Sequence, residues 1–404
     1  MDREELAGWL RLALTPGVGN SSARKLLAAF GLPDAIFRQK QLALSQVVSQ
    51  NQAGALLCEP AELAAQLDIT WAWLHGSTLN EAQPEWRHIA VLGDGGYPAA
   101  LLNMEDPPLM LYLLGARRFI TNRAVAPVDV EPLVIDLIAK SLSRSIAIVG
   151  SRNPTPQGKC NAREFGRALS AAGLTVVSGL ALGVDGAAHT GALDGLTDPG
   201  GTLPTIAVVG TGLDRVYPQS HRALAHRIAD HGLILSEYLL GTPPLAANFP
   251  RRNRLIAGLT QGTLVIEAAL ASGSLITARL ASEQGKDVFA IPGSIHSMQS
   301  RGCHALIKQG AKLVECTQDV LDELDSGVTP FSIAQSLEET GASVLNDDEN
   351  GVLEALGYDP VGLDALQART GIDIAGLQVL LMTLELDGRV ARLPGGLFQR
   401  MAIA

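Results

Sequence analysis

SIAIVGSRNPTPQGKCNAREFGRALSAAGLTVVSG, residues 145–179, holds two short β-branched runs separated by a stretch of helical period. Ala162, Phe165, Leu169 and Ala172 recur at i, i+3, i+7 and i+10 and make one apolar stripe, while Arg163 and Arg167 fall on other faces. The unit reads as strand, helix, strand. The same alternation continues through TIAVVG at 205–210, LILSE at 233–237, TLVIE at 263–267, DVFAI at 287–291 and KLVEC at 312–316. Near-continuous apolar strands joined by helix-length segments predict a mostly parallel sheet covered on both faces, the doubly wound α/β class with an extended Rossmann-like sheet.

Working outward, residues 1–110 read as a small helical domain plus lead-in, of SAM or helix-hairpin-helix type, because LTPGVGNSSARKLLAAFG places a glycine turn between two short helices. The α/β domain then spans 111–324 and carries a glycine-poor insertion at 117–144, with a helix predicted over 131–142. A second insertion lengthens the loop at 194–204. Residues 325–349, with Glu338, Glu339, Asp347, Asp348 and Glu349, read as an acidic linker. Beyond it, 350–404 gives helix, helix, turn, helix and a hairpin around Pro394, Gly395 and Gly396, the order of a winged helix. Its candidate recognition helix, 373–386, carries Asp373 and Glu385 and no Lys or Arg, so partner docking competes there with duplex reading.

A chain of 404 residues with 47% hydrophobic and 18% charged residues has ample material for a globular core. Cys58, Cys160, Cys303 and Cys316 form no C-x-x-C pair, which argues against a structural zinc site and for reduced thiols. MDREELAGWLRLAL at the N-terminus lacks the long apolar run of a signal peptide or membrane span. The expectation is a cytoplasmic protein with no membrane partner.

Local charge runs against the net charge of −10. NFPRRNRLIAG at 248–258 sets Phe249 beside Arg251, Arg252 and Arg254, and 151–168 holds Arg152, Lys159, Arg163 and Arg167 against Glu164. Guanidinium groups match phosphate oxygens with planar forks of donors, and an aromatic ring among them offers a face for a base. A solvated basic loop with one buried Phe is the plain alternative. Position decides: every unusual segment follows a strand, and in an open parallel sheet all carboxyl strand ends meet at one rim, where ligands bind at the switch in strand order. Ser151 and Arg152, the NFPRRNR loop, and Ser272, Gly273, Ser274 and Thr277 therefore converge on one crevice, where glycine turns and helix N-termini favour phosphate.

Other nucleotide motifs fit poorly. Gly158-Lys159-Cys160 resembles the end of a P-loop, but Asn153 stands where the first glycine belongs and Cys160 replaces Ser/Thr. GTGLDR, 210–215, has only two glycines of a dinucleotide fingerprint, so no cofactor is called for. Asp185 and His189, four residues apart, suit an acid–base pair or a helix tie. Glu237 and Glu267 suit a carboxylate pair or local ion pairing. A nucleotide-processing hydrolase acting on nucleoside monophosphates thus remains the alternative to a non-catalytic binder.

GSRNPTPQG, SGLALGVDGAAHTGAL, GTGLDRVYP and SEYLLGTPPLAANFPRRNRLIAGLTQGTLVIEAALASGSLITARLASEQGKDVFAIPG occur in order, and over roughly 90–316 the chain resembles the DNA processing protein A family, DprA or Smf. The resemblance implies a non-enzymatic single-stranded DNA-binding mediator of natural transformation, which protects incoming DNA, loads the RecA recombinase and forms homodimers through the α/β domain. Its DNA contacts would be Ser151, Arg152, Phe249, Arg251, Arg252, Asn253, Ser272, Gly273 and Ser274, with Lys159 as a weaker candidate, and with no catalytic residue, metal or cofactor. His221 and His304 stand where the family tends to have Asn, which puts local hydrogen bonding in question.

Overall fold

The computed structural model describes residues 1–76, 86–116, 119, 130–196, 201–324 and 347–401. The acidic run of the linker, including Glu338 and Glu339, and the tip of the second insertion at 197–200 lie outside them. All seven runs read from the sequence are strands: β3 (Ser145–Val149), β4 (Thr175–Ser178), β5 (Thr205–Val208), β6 (Leu233–Ser236), β7 (Gly262–Val265), β8 (Asp287–Ala290) and β9 (Lys312–Leu313). Two more precede them, β1 (Trp86–Val91) and β2 (Met110–Gly115). Among the described residues the sheet order is β1-β2-β6-β5-β4-β3-β7-β8-β9, with β3 to β9 parallel and β1 and β2 antiparallel at one edge.

β3 is the topological switch. The chain winds from it through β4 and β5 to β6 on one side, then returns through the helix Asn248–Leu259 to β7 on the other. Ligand groups placed after β3, β4, β5 and β7 therefore share one crevice. β3, β4, β5 and β7 are buried along their whole length, as strands covered on both faces must be. The crossover helix Pro156–Ala171 turns Ala162, Phe165 and Leu169 onto the sheet.

The lead-in assigned from sequence to the helical segment supplies β1 and also α-helical Ala99–Leu102, and the sheet begins at Trp86. Six helices between Arg3 and His75 pack Leu6, Trp9, Leu26, Ile36 and Leu44 into one core with Ile89, Val91 and Tyr112 of β1 and β2. The helical segment is thus fastened to the sheet edge by shared apolar burial. Of the insertion at 117–144, the helix Val130–Ser143 is described and buries Val134, Leu137 and Ile138 in the core beneath the sheet.

Residues 347–401 form the helices Asp347–Leu356, Leu363–Thr370 and Ile374–Leu386 with a small three-stranded sheet closed by the hairpin Val390–Leu393 and Leu397–Arg400. Leu377, Leu381 and Leu384 fill its core, while Val379, Met382 and Leu386 are exposed on the opposite face of the last helix. No helix among the described residues is long and apolar enough to cross a membrane.

Candidate nucleic-acid interface

The turn after β3 is bracketed from both neighbours. Ser151 N–H donates to Glu267 O at 2.7 Å, and Val184 N–H donates to Ser151 O at 3.1 Å. Gly183, at φ +81°, lies so close that a Cβ there would stand 2.4 Å from Ser151 O and 2.6 Å from Arg152 O, which accounts for the glycine. Ser151 is buried and spends its hydroxyl on Asn153 N–H at 3.1 Å. Arg152 is left exposed, its guanidinium carbon 5.5 Å from the centre of the Phe249 ring.

NFPRRNR, read from sequence as a loop, is the first two turns of the helix Asn248–Leu259. Asn248 fixes its start, donating to Gly210 O at 3.0 Å, while Tyr238 Oη donates to Asn248 O. Helical geometry then sends successive residues in different directions. Phe249 is half-buried at the rim and Arg251 is exposed to solvent.

Arg252 is 3% exposed, and its Nη1 donates to Gly179 O at 2.5 Å and to Val208 O. Its expected role as a DNA contact is thereby corrected: the guanidinium satisfies carbonyls at the ends of β4 and β5 and points away from solvent. Burial pushes its pKa down, opposed by the charge of Asp185. Arg254 also turns inward, pairing with Glu237 and donating to Asp106 O at 2.7 Å. Arg163 and Arg167 are committed on the crossover helix to Asp194 and Glu164, at 2.8 and 2.7 Å. The rim's outward cations are therefore Arg152, Lys159 and Arg251, fewer than the linear count suggested.

On the β7 side, Ser272 and Ser274 join hydroxyls at 2.7 Å, and Asn253 Nδ2 donates to Gly273 O at 3.3 Å, so the SGS turn and the arginine helix are linked. Ser274 is buried, whereas Gly273 is exposed. Glu267 receives Thr155 N–H at 2.9 Å and Thr155 Oγ1–H at 2.5 Å, and Thr155 Oγ1 in turn caps Gly158 N–H at 3.0 Å. Gly158 is glycine because a Cβ would stand 2.3 Å from Glu267 Cδ, so its place in a P-loop-like run reflects packing against a carboxylate.

Asp185 and His189 are ties. Asp185 Oδ2 accepts Gly179 N–H at 3.1 Å and Ala181 N–H at 3.3 Å, and burial raises its pKa against the pull of Arg252. His189 Nε2 accepts Leu180 N–H at 3.3 Å while Nδ1 faces Thr205 Oγ1 at 2.7 Å, and Thr205 donates onward to Val176 O. That network suits only the neutral Nδ1–H tautomer, and burial drives the His189 pKa down to about 3. Together with His221, whose Nδ1–H donates to Leu180 O at 3.0 Å, these groups hold Leu180 at φ +57°. His304 Nε2 lies 3.0 Å from Gly293 O, so both histidines keep a backbone partner.

One rim residue is not among those expected from the sequence. Tyr217, in the turn after β5, is 47% exposed and its ring centre lies 5.5 Å from that of Phe249, tilted 36°. Its signal was an aromatic following a glycine-rich strand end, in a chain where aromatics are only 4%.

Residues 136–325 match the family described as DNA recombination-mediator protein A, and 334–396 match the DprA winged helix domain. Protein Smf of Synechocystis sp. is 32% identical over 430 residues, covering 99% of this chain and all of its own length. DNA processing protein DprA of Streptococcus pneumoniae is 44% identical over 232 residues, 57% of this chain and 72% of the relative. The X-ray structure of DNA processing protein A from Streptococcus pneumoniae superposes with a TM-score of 0.60 at 33% identity, covering 80% of this chain and 98% of that one. With matches over both domains and along its whole length, the chain belongs to the DNA recombination-mediator protein A family, DprA or Smf.

Proposed function

We propose that this chain binds single-stranded DNA along the rim at the carboxyl ends of β3, β5 and β7, and serves natural transformation by protecting incoming strands and passing them to the RecA recombinase. The observation that carries the reading is Arg152 lying over Phe249, with Arg251 exposed on the same helix turn. Cation and aromatic face together suit a backbone phosphate and its unstacked base, which a duplex does not present. Family membership supports the DNA-processing role. A homodimer would place two such rims on one particle and raise avidity on one long strand without new contacts. The protein would act in the cytoplasm.

The work proposed is non-catalytic. Supporting this, Glu237 is held by Arg254 and Glu267 is spent on Thr155, so neither carboxylate stands open to a sugar phosphate. Glu237 is nonetheless pushed up in pKa by burial, the one feature that favours the hydrolase reading.

The test is to measure affinity of the full chain for a strand of about 20 nucleotides, longer than one binding module occupies, and for a duplex of equal length across a salt series. Tight strand binding that weakens with salt is expected, and loss on combining Arg152→Ala with Arg251→Ala. Tighter duplex binding, or an unaffected double variant, would overturn it. Release of base from nucleoside monophosphates would establish the hydrolase instead.

A further inference from the structure

Tyr217 has no task in the fold that explains its exposure. Of the aromatic side chains in the described residues, it and Tyr358 are the two most open to solvent, and Tyr358 lies under Arg400 in the winged helix, 5.2 Å from the guanidinium carbon. Tyr217 instead meets Phe249 at a tilt of 36° with 5.5 Å between ring centres, while Arg152 stands 5.5 Å from the same Phe249 ring. Arg152 from the turn after β3 and Tyr217 from the turn after β5 thus both flank Phe249, in the first turn of the helix Asn248–Leu259, and the three form one cluster. The cation stands beside Phe249, and Tyr217 is half open to solvent.

Phe249 is held from behind. A Cβ on Gly210 would stand 3.2 Å from Phe249 Cδ1, so the backbone of the β5 turn backs directly against the first ring. That turn carries Tyr217 only a few residues on, so the segment that backs Phe249 also supplies the second ring. Ring centres 5.5 Å apart leave no room for a base to insert between them. A strand crossing the cluster would place one base against Phe249 and a neighbouring base on the exposed side of Tyr217.

We propose that Tyr217 is a second base-stacking subsite, contiguous with Phe249, whose ligand is an unpaired nucleobase of the bound strand. This rests on the single-strand reading above and extends it from one base to two. Stacking tolerates every base, so the subsite adds affinity and register without sequence preference.

The experiment compares the full chain with Tyr217→Phe and Tyr217→Leu on an oligothymidylate and on a strand of the same length in which every base is replaced by an abasic tetrahydrofuran. Tyr217→Phe should bind both as the parent does. Tyr217→Leu, which keeps apolar bulk against Phe249, should bind oligothymidylate about tenfold more weakly, and the abasic strand as the parent does. Equal oligothymidylate affinity for Tyr217→Leu and the parent would overturn the subsite. So would an equal loss on both strands, which would mean that Tyr217 acts only by supporting the fold. If the parent itself prefers duplex, the single-strand reading fails and the subsite with it. Failure of the subsite alone leaves the parent's strand binding intact, so the two failures are distinguishable.

Discussion

Arg152, in the turn directly after the switch strand, meets Phe249, on the helix that carries the chain across to β7, with the guanidinium carbon 5.5 Å from the ring centre. Arg152 can stay exposed because its neighbour Ser151 carries the structural bonds of the turn. Phe249 can stay at the rim because Asn248 before it anchors the helix start to Gly210. Division of labour between adjacent residues is what leaves both groups uncommitted at the rim.

Replacing Phe249 by Leu should therefore separate the two forces. Strand affinity falls by about 1–3 kcal/mol while the salt slope stays that of the parent, because no charge is lost. Arg251→Ala should instead lower the magnitude of the slope by about 0.7 for the phosphate no longer neutralised. Fluorescence anisotropy titrations with a labelled strand at several salt concentrations read both quantities.

Adjacent arginines should respond in opposite ways to denaturant. Arg252→Met strips a buried donor from Gly179 O and Val208 O and removes the cation opposing Asp185, with an expected loss of about 3–5 kcal/mol in stability. Arg251→Ala, on the solvent side, should stay within about 0.5 kcal/mol. Urea unfolding of the two variants checks the contrast, and equal midpoints would show that Arg252 is not the internal brace described.

Acid should weaken the fold partly through His189. Its folded pKa of about 3 lies below its ordinary value of 6.5, so the unfolded chain binds the extra proton first and stability falls as pH drops from 6.5 toward 3. Between pH 6.5 and 5 this amounts to about 2 kcal/mol. Asp185 and Glu237, both raised by burial, contribute with the opposite sign, losing stability as pH rises through their folded values. Comparison of the parent with His189→Gln isolates the histidine: the variant's urea midpoint should decline less over that window.

Gly158→Ala drives a methyl into the Glu267 carboxylate and should cost about 1–3 kcal/mol. Added to Glu267→Ala, the same change should cost much less, because the obstructing group is gone. A double-mutant cycle by thermal unfolding measures that coupling, and simple additivity would contradict the packing account.

The strands of the α/β domain were legible because doubly buried parallel strands are apolar at every position, and SIAIV, TVVS and TLV announce themselves without reference to anything distant. β1 and β2 were harder to see. They lie at the antiparallel edge and make a core with helices from Arg3 to His75, so their place depends on partners that local pattern does not reveal. Asp185 and His189 showed their spacing in the sequence, but only the bonds to Gly179, Leu180 and Thr205 distinguish a tie from an acid–base pair.

By itself the sequence determined the doubly wound class, the winged helix, and the gathering of Arg152, Phe249 and Ser272–Ser274 at one rim. Strand-end position follows from chain order in a parallel sheet. Tertiary structure alone decided which of the three arginines in NFPRRNR faces solvent. Once the segment is helical, Arg251 turns outward while Arg252 and Arg254 turn in to carbonyls and carboxylates supplied by remote strands. Charge is written residue by residue, whereas its direction is set by a 3.6-residue turn and by which unpaired polar groups burial brings within reach.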